Sequence, residues 1–323
     1  MFRKKKRISE LKEGEFIDDI FVVKVKRDFK PYIKGFSFRL FLSDASGQSL
    51  EYVYWGDRNE SEVKTLFDKV SEDNVIHITG SVGRYRKALQ ISANSKNIFN
   101  VLTEDEYDSQ DFILPPNRDV DVMFKELTDA VNLIKDKDIK SLLQNIFNDP
   151  EISKRIRKHP GGIEIHHNRY GGLLEHMLEI LQYCLLSSKS FKLDKDYLIA
   201  GSLLHDIGKL EELSMKTRIK GTRSGQLLGH IVLGIRFLSK RMESLKTPKL
   251  IQEKLLHIIS SHHGLLEYGS PKEPMFPEAL AVHLADMMSS KLSEMQTFIE
   301  KVKGNTENDF AYYVRGRKNI LLD

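Results

Sequence analysis

Five histidines and two aspartates recur at helix-length intervals in the C-terminal half of this 323-residue chain. Neutral imidazoles and carboxylates are the side chains that bind manganese, iron and zinc in proteins. A fold that collects them at one point would hold two divalent ions, and such a centre is suited to the hydrolysis of phosphate esters. In chain order the residues are His176, His205-Asp206, His230, His262-His263 and Asp286.

The segments around these residues are largely apolar, which strengthens the prediction of a buried metal centre. Ala200 to Leu204 is a helical pattern that ends in the adjacent pair His205-Asp206. Asp286 follows small and apolar residues, where an ionised carboxylate is costly unless it meets a cation. An isolated His-Asp pair is more often a satisfied core hydrogen bond, but the recurring histidines favour metal binding. His257, in the middle of an apolar helical run, is assigned a structural role.

Residues beside the metal pattern are candidates for direct roles in catalysis. Asp206 is predicted to act as the shared carboxylate. Lys209 is predicted to contact the phosphate and offset its developing charge; the alternative is a surface lysine at a helix end. His166 and His167 are predicted to bind substrate, to donate a proton to the leaving group or to cap a helix, and the sequence leaves these roles open.

Residues 15–102 have a different pattern from the rest of the chain, rich in β-branched and aromatic residues. Phe36, Phe38, Leu40 and Leu42 alternate with other residues, as expected for a strand with one buried face. Three strands, a helix and two strands follow in the order of an OB-fold barrel. The predicted strands cover residues 16–25, 36–42, 50–55, 75–83 and 88–93, and the helix covers 63–70.

Barrels of this kind bind single-stranded nucleic acid by stacking bases on aromatic side chains within a cationic groove. We therefore expect basic and aromatic residues of these strands and turns to contact RNA or DNA. The alternative is that the aromatic residues form the core and the basic residues a solvated surface. The candidates are Lys24, Lys26, Arg27, Lys34, Arg39, Tyr54, Arg84, Tyr85 and Arg86.

The fold class predicted for the chain is therefore two-domain, with an N-terminal all-β OB-fold barrel followed by an all-α domain. Residues 1–14 form a basic N-terminal arm, expected to be solvated, and residues 103–118 are acidic and then proline-containing, as in an interdomain linker. The helical domain covers residues 119–323. Its predicted helices span 122–134, 139–147, 173–186, 197–210, 226–242, 249–261 and 278–298.

The composition of the chain indicates the cellular compartment, but it says little about the activity. Charged residues make up 30% of the chain and nearly balance, at +4, so no strong overall field requires a polyanionic partner. Cys184 is the only cysteine and cannot form an internal disulfide, which favours a reducing compartment. We find neither an apolar run long enough for a membrane span nor a secretory signal, and we expect a cytoplasmic protein.

The ordered set His176, His205-Asp206 and Asp286 resembles the core metal motif of the HD-domain metal-dependent phosphohydrolases. The other three histidines of the pattern resemble the additional ligands of the two-metal branch of that family. The resemblance covers the helical half, which it identifies as an HD domain. It implies that the motif residues hold one ion, that the three additional histidines hold a second, and that Asp206 bridges the two.

With the predicted barrel and the segment from His166 to His176, the chain is similar to the YhaM-type 3'-to-5' exoribonucleases. That similarity implies a metal-dependent exonuclease that hydrolyses single-stranded RNA, and DNA as a second substrate class, to nucleoside 5'-monophosphates. It implies a hydroxide attack supported by two metal ions. Manganese is the favoured cofactor, with iron, zinc, cobalt and magnesium as alternatives.

Two other functions agree with the same residues. The first is a phosphohydrolase of small nucleotides, in which the barrel serves regulation or assembly. The second is a non-catalytic nucleic-acid-binding factor with structural metals, although structural zinc sites are usually closed to water. The expected partners are single-stranded RNA or DNA and no membrane, and a homo-oligomer is left open.

Overall fold

The computed structural model describes residues 1–86, 88–163, 167–303, 308–314 and 316–322. The chain divides into two compact units. The first comprises Met1–Pro115 and Met215–Ile219, and the second comprises Pro116–Ser214 and Lys220–Asp323. Among the described residues, no helix combines the length and the apolar character that crossing a membrane requires.

The first unit contains a closed five-stranded barrel. Strand β1 pairs antiparallel with both β2 and β4, β2 pairs with β3, and β4 with β5, while a parallel pairing of β3 with β5 closes the barrel. The predicted order of three strands, a helix and two strands is confirmed, and so is the OB fold. The elements are β1 (Phe16–Tyr32), β2 (Gly35–Ser43), β3 (Ser49–Trp55), α1 (Glu60–Asp68), β4 (Val75–Tyr85), β5 (Ala88–Asn94) and β6 (Phe99–Leu102).

Strand β1 is longer than predicted because irregularities in its pairing let it serve two neighbours. Its register with β2 shifts between Val23 and Val25 and again between Lys26 and Phe29. Such irregularities bend a strand and increase its twist. Strand β6, which the sequence pattern did not predict, pairs with β4 at the edge of the sheet.

The barrel interior contains one residue that was predicted to bind nucleic acid. Tyr54 is 4% exposed, and its ring stacks on that of Phe38 with a centroid separation of 4.9 Å. A ring buried in this way offers no face to a base. The prediction for Tyr54 is therefore corrected: it is a core residue of the barrel, placed inside by the alternation of β3.

The basic residues near the N-terminus are paired with acidic residues of the first unit. Nζ of Lys4 lies 2.7 Å from Oδ2 of Asp19, and these side chains are only 6% and 4% exposed. The guanidinium of Arg3 donates to Asp111, and Lys6 pairs with Glu15. The expectation of a solvated arm is wrong for Lys4, whose burial requires its counter-charge to be in place. The side chains of Arg3, Lys5 and Lys6 remain exposed.

The second unit is helical, with an apolar core contributed by helices α2 to α6 and α8 to α10. Aspartate caps begin several of these helices; Asp119, Asp136, Asp149 and Asp194 each accept backbone N–H groups of the first turn. The helices are α2 (Val120–Asn132), α3 (Lys137–Phe147), α4 (Pro150–Lys158), α5 (Gly172–Ser187), α6 (Lys195–Leu204), α7 (Lys209–Glu212), α8 (Arg223–Leu245), α9 (Lys249–Ser261) and α10 (Pro277–Lys303).

The helical prediction is confirmed with three differences. Helix α4 was not predicted, because Ile152 and Ile156 are its only buried residues. The predicted helix over 197–210 is two helices, since the regular α-helical hydrogen bonding is interrupted between Leu204 and Lys209, where Ile207 and Lys209 donate to the carbonyl three residues back. Two short hairpins also occur, β7 (Leu213–Met215) with β8 (Ile219–Gly221) and β9 (Phe310–Tyr313) with β10 (Lys318–Leu321).

Candidate metal centre

All seven predicted metal ligands come together within the second unit. His176 lies on α5, the pair His205-Asp206 follows the end of α6, and His230 lies within α8. His262-His263 follow the end of α9, and Asp286 lies on α10. The pair lies in the turn between α6 and α7, where Nε2 of His205 and Oδ2 of Asp206 are 3.5 Å apart.

The carboxylate of Asp206 lies between two groups of donor atoms. Its Oδ2 is 3.3 Å from Nε2 of His176 and 3.5 Å from Nε2 of His205. Its Oδ1 is 3.6 Å from Nε2 of His230 and 3.6 Å from Nε2 of His262. Each carboxylate oxygen therefore faces a different pair of imidazoles.

One further ligand completes each group. Oδ1 of Asp286 lies 3.3 Å from Nε2 of His176, which places it in the first group. Nε2 of His263 lies 3.3 Å from Nε2 of His230, which places it in the second group. The first group thus has two imidazoles and two carboxylates, and the second has three imidazoles and the shared carboxylate.

The histidine rings are oriented by hydrogen bonds at their other nitrogen. Nδ1 of His205 donates to the carbonyl of Ser202 at 3.0 Å, and Nδ1 of His262 donates to the carbonyl of Ile259 at 2.7 Å. A bond of this kind places the proton on Nδ1 and leaves the lone pair of Nε2 directed at the centre. Such partners are typical of metal-binding histidines, whose ring orientation they determine.

His230 and His263 provide the clearest indication that a cation belongs in this cluster. Nδ1 of His230 donates to the carboxylate of Glu212 at 3.1 Å, and Nδ1 of His263 donates to the carbonyl of Tyr268 at 3.0 Å. Two Nε2 lone pairs then face each other at 3.3 Å. This arrangement is repulsive unless a positive charge lies between them, so the donor set fits a metal ion.

Burial of unsatisfied polar atoms leads to the same conclusion. Oδ1 of Asp206 and Nε2 of His262 are buried, and no hydrogen-bond partner reaches them among the residues that the structure describes. Burial lowers the pKa of His262 to about 4, so its imidazole is neutral at neutral pH. A neutral imidazole and an ionised carboxylate are the forms that bind divalent metals. The residues present therefore fit two such ions.

Lys209 is part of the centre. Its Nζ lies 2.6 Å from Oδ2 of Asp206, and its side chain is 15% exposed. Burial lowers the pKa of Lys209, but the charge and hydrogen bond of Asp206 raise it more, so the net direction is upward. The alternative of a surface lysine at a helix end is wrong, because the side chain is directed into the site.

His167 lies next to the first group, with its ring centroid 5.2 Å from that of His176. Its Nε2 is 3.0 Å from the carboxylate of Glu179, and its Nδ1 is 3.5 Å from that of Glu175. Burial lowers the pKa of His167, but these two carboxylates raise it above the ordinary value. The other candidate of this segment, His166, lies outside the described residues.

Sequence reasoning did not single out the acidic residues that support the histidines. Glu212 holds His230, while Glu175 and Glu179 hold His167. A weak signal was available for two of them, because Glu175 precedes His176 directly and Glu179 follows it by three residues. Glu212 had no such signal, since eighteen residues separate it from its partner.

The remaining nucleic-acid candidates lie on the surface of the first unit. Arg84 and Tyr85 are the last two residues of β4, Tyr85 is 48% exposed, and Arg86 follows the strand. Lys34 lies at the turn between β1 and β2. Lys24 and Arg27 are exposed on β1. Several of these candidates already have partners within the first unit. Lys26 lies over the ring of Phe67, and Arg27 lies over that of Phe41. Arg39 pairs with Glu51 at 3.1 Å, and Arg84 pairs with Glu13 at 2.9 Å.

Comparison with known proteins places this centre in a recognised domain. Residues 173–290 match the HD domain family, a range that contains all seven predicted ligands. The chain is also 30% identical over 310 residues to the 3'-5' exoribonuclease YhaM of Bacillus subtilis (strain 168). That alignment covers 92% of this chain and 93% of the relative.

Two solved structures are each similar to about a third of the chain. The OB domain of Ta0387 from Thermoplasma acidophilum is 10% identical, with a TM-score of 0.25, and the match covers 30% of this chain and 86% of that domain. The p204 HINb domain is 14% identical, with a TM-score of 0.24, over 30% of this chain and 47% of its own. The similarity to YhaM extends over nearly the whole of both chains, and the HD domain match covers residues 173–290. The chain therefore belongs to the family of YhaM-type HD-domain 3'-5' exoribonucleases, which are metal-dependent hydrolases.

Proposed function

We propose that this protein is a metal-dependent 3'-to-5' exonuclease that trims single-stranded RNA, and single-stranded DNA as a second substrate, to nucleoside 5'-monophosphates. The observation that carries the proposal is the position of Asp206 between two groups of imidazoles, one facing each carboxylate oxygen. This arrangement suits two metal ions that share one carboxylate. The similarity to the exoribonuclease YhaM supports the choice of RNA and the direction of cleavage.

We assign the two donor groups to two metal positions. His176, His205, Asp206 and Asp286 hold the first ion, and Asp206, His230, His262 and His263 hold the second. A set rich in imidazole nitrogen suits manganese, iron, cobalt or zinc better than magnesium, which prefers oxygen ligands. We propose manganese as the working cofactor.

With two metal ions bound, the centre would supply an activated water at neutral pH and would neutralise charge on a phosphate. The remaining tasks belong to side chains of the chain itself. We propose that Lys209, whose ammonium lies beside Asp206, contacts a phosphate oxygen and offsets the charge that develops there. His167, adjacent to His176, is proposed to contact the bound substrate. The same role for His166 stays a prediction.

We propose that the barrel holds the strand whose 3' end is cleaved. Its exposed basic residues lie at the turn between β1 and β2, at the turn between β4 and β5, and on β1. These two turns are the ones through which OB folds commonly contact oligonucleotides. The proposed surface comprises Lys24, Lys26, Arg27, Lys34, Arg39, Arg84, Tyr85 and Arg86.

Product analysis tests the proposal directly. Single-stranded RNA and DNA, labelled at either the 3' or the 5' end, are incubated with the full chain in manganese, magnesium or zinc. We expect 5'-labelled strands to shorten stepwise, and 3'-labelled strands to release a labelled nucleoside 5'-monophosphate at once, with the fastest reaction on RNA in manganese. Release of label from 5' ends, or hydrolysis confined to mononucleotides and bis-nitrophenyl phosphate, contradicts it. The second result would favour a small-nucleotide phosphohydrolase.

We also propose that the enzyme acts in the cytoplasm. Cys184 is the only cysteine, and it is buried in the helical core. Burial raises the pKa of its thiol to about 11, so little reactive thiolate forms at neutral pH. A protein without disulfides suits a reducing compartment.

A further inference from the structure

We infer that Glu212 is a positioning residue for His230, and that it thereby determines whether the second metal position fills. The inference rests on the proposed function, because it concerns the unequal support of the two metal positions. It assigns a role to a carboxylate that lies outside the ligand set.

The backbone at His230 needs a partner that α8 cannot provide. Gly229, one residue earlier, has φ 71° and ψ 160°, a conformation that interrupts the helix and that glycine adopts far more readily than other residues. Helical hydrogen bonding starts afresh after such a break, and the first N–H groups lack a helical acceptor. Oε1 of Glu212 accepts the backbone N–H of His230 at 3.0 Å.

The same oxygen also orients the ring. Oε1 of Glu212 accepts from Nδ1 of His230 at 3.1 Å, so one carboxylate holds both the start of the renewed helix and the imidazole on it. A carboxylate partner also makes an imidazole more basic and therefore a better metal ligand. Loss of Glu212 would leave the ring free to rotate away from the centre.

Three other imidazoles among the metal-ligand candidates have a described Nδ1 partner, and backbone carbonyls support them. His205 and His262 each donate to a carbonyl three residues earlier, and His263 donates to the carbonyl of Tyr268, five residues later. Their orientation follows from local backbone and survives changes of side chain elsewhere. Among these four histidines, only His230 depends on a side chain from another helix.

Removal of Glu212 should affect the ring and leave the backbone of α8 in place. A Cβ atom on Gly208 would lie 1.9 Å from the carbonyl oxygen of His230, so the two backbones are in close contact there. That packing holds the start of the renewed helix against the turn after Asp206. His230 contacts His263 and Oδ1 of Asp206, which both belong to the second donor group. The first group should therefore keep its ion.

Manganese stoichiometry tests the inference on the full-length protein. The variants are Glu212→Ala, Glu212→Gln and, as a matched control, Glu211→Ala. Glu211 is the neighbouring acidic residue, and it pairs with Arg236 at 3.5 Å on the surface of the unit. Metal content is measured by mass spectrometry after desalting, and electron paramagnetic resonance during a manganese titration distinguishes coupled pairs from single ions.

We expect two manganese ions with a coupled signal in the wild type and in Glu211→Ala, and one ion with an uncoupled signal in Glu212→Ala. Glu212→Gln keeps an acceptor oxygen but loses the charge, so it should still bind two ions, with affinity for the second reduced about 10- to 100-fold. This graded pattern would not follow from a merely structural role of the side chain.

Two coupled ions of wild-type affinity in Glu212→Ala would overturn the inference, and so would the loss of both ions from a folded variant. If Glu212→Ala does not fold, Glu212→Gln decides: wild-type affinity for the second ion contradicts the inference, and weakened affinity supports it. A wild type that binds fewer than two ions would instead overturn the proposed two-metal function itself.

Discussion

The ammonium group of Lys209 lies 2.6 Å from Oδ2 of Asp206, where the carboxylate is buried and the lysine side chain is mostly so. Before metal binds, this ion pair supplies a counter-charge for a carboxylate that has no contact with bulk solvent. Burial raises the pKa of Asp206, but Lys209 and the neighbouring imidazoles lower it far more, so the net direction is well below the ordinary value. The lysine therefore keeps the Asp206 carboxylate ionised, which is the form that binds metal.

Replacement of Lys209 by Met should distinguish the contribution of this lysine to stability from its contribution to hydrolysis. We expect the metal-free variant to lose about 3 kcal/mol of unfolding free energy, because a buried carboxylate loses its partner. Manganese should restore most of this loss, since the metal supplies the missing charge, while hydrolysis stays slow. Chemical denaturation with and without manganese measures the effect. Lys209→Arg, which keeps the charge, is the control, and a metal-free Lys209→Met protein as stable as the wild type would contradict the prediction.

Replacement of Asp206 by Ala should remove both metal ions and reduce nucleotide release by about a thousandfold or more, because its two oxygens face both donor groups. His263→Ala should remove only the second ion. Oligonucleotide binding, measured by fluorescence anisotropy, should persist in both variants. The control is His257→Ala, a histidine that accepts the backbone N–H of Met275 and lies outside the centre. Full activity in Asp206→Ala would refute the assignment.

Alanine at both Arg84 and Tyr85 should weaken binding of long single strands. Loss of an aromatic stacking partner costs about 1–3 kcal/mol per base, so we expect Kd to rise by about fivefold or more. Hydrolysis of bis-nitrophenyl phosphate should be unchanged, because the metal centre lies in the other unit. Alanine at Lys64 and Lys69, two exposed cations at α1, is the matched control and should alter Kd less than twofold. Equal effects of the two double variants would mean that binding depends on charge alone.

His159 should make the metal-free protein less stable in acid. Its Nε2 donates to the carbonyl of Lys209 at 2.7 Å, and burial lowers its pKa from 6.5 to about 4. The unfolded chain takes up this proton first as pH falls below 6.5, so stability is complete above that value and declines down to about pH 4. The shift corresponds to about 3 kcal/mol.

Chemical denaturation of wild type and His159→Gln between pH 7.5 and about 4, in the presence of a chelator, tests this prediction. Glutamine can still donate to the carbonyl but does not titrate in this range, so the variant should lose less stability than the wild type. The difference between the two proteins isolates His159 from other titrating groups. If the unfolding free energies of the two proteins fall equally with pH, His159 makes no such contribution.

The elements that the sequence predicted well are those whose signal is local. Alternation at Phe38, Leu40 and Leu42 indicated an inward face of β2, and those residues do line the barrel. Helices with a continuous apolar stripe were also predicted. Helix α4 was not, because only Ile152 and Ile156 are buried among mainly polar and basic neighbours. A short helix with so small an apolar face has little periodicity to detect.

Predictions that depended on partners far along the chain were less successful. Lys4 belongs to a basic run typical of a solvated segment, yet Asp19 and the ring of Phe21 surround its ammonium. Tyr54 has the residue type of a base-stacking platform, yet it lies inside the barrel against Phe38. The charge or aromaticity of a side chain defines which contacts it is able to make. Its burial and its partners in the folded chain determine which of those contacts form.

At the metal centre, too, the sequence indicated which residues take part, and the tertiary structure showed how they are arranged. Residue types and spacing were sufficient to select the seven ligand candidates, because few side chains bind transition metals and their preference does not depend on context. Only the tertiary structure showed that Asp206 faces a different pair of imidazoles with each oxygen, and that Glu212 holds His230. Orientation and protonation depend on hydrogen bonds and on exclusion of water, which arise only when separate helices pack together.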